Sequence, residues 1–62
     1  MTKAEMYANR LNELVAEVNK LRYEIFDNNL SDDNMDTEML IARAVGGLQK
    51  AVVAVKKSEF KD

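Results

Sequence analysis

The chain has 62 residues, 47% hydrophobic and 32% charged, and contains no cysteine, histidine, tryptophan or proline. That composition excludes disulfides, thiolate and imidazole metal sites, and cysteine or serine–histidine nucleophile systems. Nine Lys plus Arg against eleven Asp plus Glu leave a formal charge of −2, so no overall positive field draws the chain to nucleic acid or anionic lipid.

What chemistry remains rests on carboxylates, amines and hydroxyls. The N-terminus reaches Glu5 without an apolar run, and no later stretch approaches the ~18 apolar residues needed to span a bilayer. The expectation is a cytoplasmic chain with no membrane partner. A domain of this length buries only about 60% of its unfolded surface, and without disulfide or metal staples it is marginal unless it oligomerises. Self-association is therefore expected from size alone.

Thr2 followed by Glu5 has the spacing of a capping box, which predicts a helix starting at Lys3. From there Ala4, Tyr7, Leu11, Leu14, Val18, Leu21 and Ile25 recur at alternating steps of three and four, and Ala8, Val15 and Phe26 widen that seam on one side. Arg10, Glu13, Glu17, Lys20 and Glu24 fall on the opposite face. The helix is expected to end near Asn28-Asn29, residues that tolerate left-handed backbone. Arg22 lies on the apolar side, where its guanidinium either stays wet or meets a carboxylate such as Asp36 or Glu38 across a hairpin.

A second helix has two candidate caps. Ser31 is preferred, with Leu30 and Met35 as its hydrophobic staple; Asp36 with Met35 and Leu40 is the alternative. Beyond it Ile41, Val45, Leu48, Val52 and Val55 make a seam of large residues, and Ala44, Gly47, Ala51, Ala54 and Ser58 an adjacent seam of small ones. Two neighbouring seams suit contact with two different helices, the small one allowing close backbone approach. Gly46-Gly47 is the weak point, since a helix-interior glycine costs about 0.8–1 kcal/mol relative to Ala. Close packing at Gly47 is the favoured explanation. A break followed by a strand over Ala51–Val55 is the alternative, but no second strand is evident to pair with it.

The expected fold is all-α: one hairpin domain over 1–62, with a helix over about 3–28, an acidic turn over about 29–32, and a helix over about 33–59. Two hairpins would pair as a four-helix bundle, a coiled-coil-like homodimer. Its core and dimer interface would draw on Leu11, Leu14, Val18, Leu21 and Ile25 from the first helix. The second would supply Ala44, Val45, Gly47, Leu48, Ala51, Val52 and Val55. The layout is similar to that of the plasmid repressor-of-primer hairpin dimer in length and pattern, through no shared residue motif.

Three surface features are candidates for function. Asp27, Asp32, Asp33, Asp36 and Glu38 form an acidic cluster that could dock a basic partner, although acids at a helix start also stabilise its positive dipole end. Their spacing superficially resembles a calcium loop, but Thr37 stands where the sharp turn needs Gly and Arg43 where the bidentate Glu should be. No metal or cofactor is expected. Arg43, Lys50 and Lys57, seven apart, make a basic stripe that could follow a nucleic-acid backbone, though such stripes are more often solvated faces. Asn12 and Asn19, at the seam's margin, either set register or lie on the surface.

Two helices offer little concavity for catalysis, so no catalytic residue and no enzyme activity are expected. The leading expectation is a small interaction or regulatory protein, an inhibitor or adaptor. It would work as a helical homodimer that presents a surface to a larger protein, in the manner of accessory proteins of phages and mobile elements. The alternatives are a nucleic-acid-binding dimer using the basic stripe, and a structural or assembly component.

Overall fold

A computed structural model describes residues 1–61, which form two helices and no strand: α1, Lys3–Asn28, and α2, Asn34–Lys56. The first helix starts where the sequence places it. Thr2 has extended backbone, and its hydroxyl accepts from the Glu5 N–H at 3.2 Å, satisfying one of the amides that have no partner in a first helical turn.

α1 ends at Asn28, where the sequence places it, but without the left-handed backbone that asparagine tolerates. Asn29 leaves the helix with extended backbone, and among the described residues no side-chain-bearing residue has positive φ. Two asparagine side chains bond the last turns instead: Asn34 Nδ2 donates to the Phe26 carbonyl at 3.4 Å, and Asn28 Nδ2 to the Glu24 carbonyl at 2.7 Å. The Asn34 bond satisfies a last-turn carbonyl that a left-handed C-cap would otherwise have satisfied, whereas the Asn28 bond adds a second donor to a carbonyl already bonded within the helix.

The start of α2 also moves. Ser31 is not its cap, because the Ser31 N–H donates to Asn29 Oδ1 at 2.9 Å and holds Ser31 in an Asx-type turn. The Ser31 carbonyl then accepts from the Asn34 N–H at 3.3 Å, and Asp33 takes the cap position without a side-chain cap bond. Leu30 is almost fully exposed, so it forms no staple with Met35. At the other end α2 stops at Lys56, short of the expected 59. The Ser58 hydroxyl donates to the Ala54 carbonyl at 2.9 Å, and the Lys57 N–H to the same carbonyl at 3.2 Å.

Through Gly46 and Gly47 the helix is unbroken, which removes the strand alternative for Ala51–Val55. The two helices run side by side in opposite directions. Phe60, beyond α2, packs edge-on against Tyr7 near the start of α1, with ring centroids 5.1 Å apart. Lys3 Nζ also donates to the Lys61 carbonyl at that end. The hairpin measures 48 × 15 × 12 Å.

The seam between the helices is thin. Its buried residues are Ala8, Val15, Val45 and Val52, joined by half-buried Leu11, Val18, Ile41, Leu48, Ala51 and Val55. Among the described residues no large side chain is fully buried. Burial contributes about 25 cal/mol per Å² of apolar area removed from water, so four small residues supply a modest share of what a domain needs. No helix among the described residues is long and apolar enough to cross a membrane.

Candidate interaction surface

The broad apolar stripe of α1 divides in two. Leu11 and Val18 lean into the hairpin seam, whereas Leu14 and Leu21 are 49% and 53% exposed, with Tyr7 exposed in the same row and Ile25 exposed where the seam row reaches the turn. On α2 the large seam faces α1, while Ala44, Gly47 and Ala54 of the small seam are exposed beside exposed Leu40. Of the residues expected at the core and dimer interface, the hairpin itself uses Leu11, Val18, Val45, Leu48, Ala51, Val52 and Val55. It leaves Leu14, Leu21, Ile25, Ala44 and Gly47 open.

Those open residues lie on one side of the hairpin. At about 3.6 residues per turn, Leu14 and Leu21 fall counterclockwise of the line through Ala8 and Val15 when α1 is viewed from its N-terminus. Seen from the same end, α2 runs toward the viewer, and Ala44 and Gly47 fall clockwise of the line through Val45 and Val52. Because the two lines face each other, both displacements point the same way. The result is one continuous apolar face, with a row of large side chains on α1 and small ones on α2. The reverse side carries Tyr23, Met35, Met39 and Val53, all exposed, among polar residues.

Glycine is not required by the hairpin at either of its two positions. Neither has positive φ, and a Cβ placed at Gly46 or Gly47 meets nothing within 4 Å. Close packing at Gly47 is thus absent within one chain.

The acidic cluster divides as well. Asp27, Asp32, Asp33 and Asp36 are exposed around the turn, but Glu38 points inward, with Oε1 at 3.5 Å from Arg22 Nε. The Arg22 side chain is 18% exposed and that of Glu38 27%. This contact is an ion pair without hydrogen-bond alignment, since Arg22 Nε makes no hydrogen bond. The guanidinium also lies over the Tyr23 ring at 5.0 Å, and one of its NH groups donates to the Tyr23 hydroxyl at 3.2 Å. Of the two roles open to Arg22 in the sequence, the hairpin adopts the cross-helix pair, with Glu38 as the partner.

Arg43, Lys50 and Lys57 are all exposed on the outer flank of α2, in a heptad column that begins with Asp36. Asn12 is exposed and Asn19 half-buried. No group of three or more acids among the described residues is placed to hold a metal ion. The side-chain bonds of Asn28 and Asn34 to α1 carbonyls, the second of them a cap, are the contacts sequence reasoning missed. The signal available was the density of asparagine around the turn.

No protein family, curated protein or solved structure matches this chain.

Proposed function

We propose that this chain is a small non-enzymatic interaction protein, a regulator or adaptor, that works as a cytoplasmic helical homodimer forming a four-helix bundle and offers its remaining surface to a larger protein. The observation that carries the reading is the imbalance between hidden and exposed apolar groups. Leu14, Leu21 and Ile25 of α1 and Leu40 of α2 stay uncovered beside Ala44, Gly47 and Ala54, while the buried residues among those described are one alanine and three valines. Monomeric soluble proteins rarely expose contiguous apolar patches beyond a few hundred Å², and larger ones mark interaction surfaces.

The exposed acids around the turn, Asp27, Asp32, Asp33 and Asp36, lie at the end of the rod away from both termini. That position leaves them free to meet a basic partner once the long face is covered. The basic stripe supports nucleic-acid binding less well, because its column opens with Asp36 and the net charge is negative.

Sedimentation equilibrium at micromolar concentration tests the proposal. A dimer of twice 7.1 kDa is the expected result. A helical species of single-chain mass persisting at several hundred micromolar would overturn it.

A further inference from the structure

We infer that the continuous face bearing Leu14 and Gly47 is covered by the same face of a second copy, related by a two-fold axis parallel to the helices, so that Leu14 of each copy sits over Gly47 of the other. This rests on the dimer reading above and specifies which surface makes it and how.

The area needed is available. The chain exposes 5042 Å². A compact monomer of its mass would expose about 4,100 Å². The excess of about 900 Å² matches the roughly 800 Å² that each partner hides in a standard interface. One face on each hairpin suffices to remove it.

The occupant follows from the face's own relief. Arg22 stands opposite Glu38 and Phe26 opposite Asn34, so each step back along α1 is a step forward along α2. On that register Leu14 is level with Gly46 and Gly47, and Tyr7 with Val53 and Ala54. Rotation about an axis parallel to the helices sets α1 of one copy over α2 of the other at the same levels. Leu14 then meets Gly47, and Tyr7 meets Ala54: large groups over small ones, twice over by symmetry. Such a patch is complementary to itself, which an isologous dimer requires. Covering it also accounts for glycine at 47, where the single hairpin leaves open space beyond the Cα. All four helices end with antiparallel neighbours, the up-and-down arrangement of a bundle.

Sedimentation of variants decides the face. Gly47→Leu and Leu14→Glu should each raise the dimer dissociation constant more than tenfold. Val53→Glu, on the reverse side, should change it less than threefold. Circular dichroism checks that each variant stays helical. The absence of native cysteine allows a second readout that does not depend on weakening the fold. Mixed Leu14→Cys and Gly47→Cys chains should oxidise to the heterodisulfide in preference to either homodisulfide, since only that pair brings the Cβ atoms within bridging distance. A preferred Leu14→Cys homodisulfide would overturn the axis, placing α1 on α1. A dimer broken by Val53→Glu and indifferent to Gly47→Leu would overturn the face while leaving the dimer reading standing. A wild-type monomer would remove both.

Discussion

Arg22 and Glu38 form the cross-helix ion pair of the described chain, Nε to Oε1 at 3.5 Å, at the edge of the seam near the turn. Both side chains are largely withdrawn from water, so each has lost hydration that the other restores in part. Arg22→Met or Glu38→Gln alone should therefore destabilise the hairpin by about 1–2 kcal/mol, since the remaining partner is left half-buried and unpaired. The double variant Arg22→Met, Glu38→Leu should recover most of the loss. Urea midpoints at constant m-value measure both effects; additive losses would show that the two charges do not interact.

That pair also shows how far residue pattern reaches. Arg22 on an apolar face, with acids across the expected turn, was enough to name Glu38 as one of two partners. The same pattern named Thr2 as the cap of α1, because a hydroxyl three residues before a glutamate has few other uses at the head of an apolar repeat. Ser31 does not cap α2 for a physical reason: the Asn29 side chain captures the Ser31 amide, and the cap falls two residues later at Asp33. The division of the α1 stripe was not legible either. Leu14 and Leu21 repeat with the same period as Leu11 and Val18, and only the rotation of α1 against α2 decides which pair is covered.

Thr2→Ala should cost about 1 kcal/mol, the usual value for removing a hydroxyl cap. Thr2→Asp should retain the stability, because a carboxylate accepts the same amide and meets the positive end of the helix dipole. Hydrogen exchange localises the effect. The Glu5 amide, which donates to Thr2 Oγ1, should lose protection in the alanine variant while amides in mid-α1 change only with global stability.

Phe60 lies outside both helices, yet its ring meets Tyr7 edge-on at 5.1 Å and ties the C-terminal segment to the start of α1. Aromatic pairs of this geometry contribute about 0.5–1.5 kcal/mol beyond area burial. Phe60→Ala should lower the unfolding free energy by about that amount or slightly more. In a double-mutant cycle with Tyr7→Ala the coupling should fall in the same range. Zero coupling would mean that the tail does not hold this contact in solution.

Gly46 and Gly47 occupy consecutive positions in an unbroken helix, and an added methyl at either meets no neighbour within 4 Å. In the isolated hairpin each substitution by alanine should gain about 0.8–1 kcal/mol through reduced backbone freedom in the unfolded chain. For a domain this small, 1 kcal/mol corresponds to a melting-point rise of roughly 4–8 °C. The two positions part company when the chain self-associates. Gly46 lies toward the reverse side, so Gly46→Ala should raise the melting temperature equally at low and high protein concentration. Gly47 lies on the face proposed to meet Leu14 of the second copy. Gly47→Ala should give its full gain in dilute solution and a smaller one at high concentration, where the methyl holds the partner off. Melting curves across a hundredfold range of concentration separate the two cases. Equal gains for both variants throughout that range would place Gly47 outside any interface.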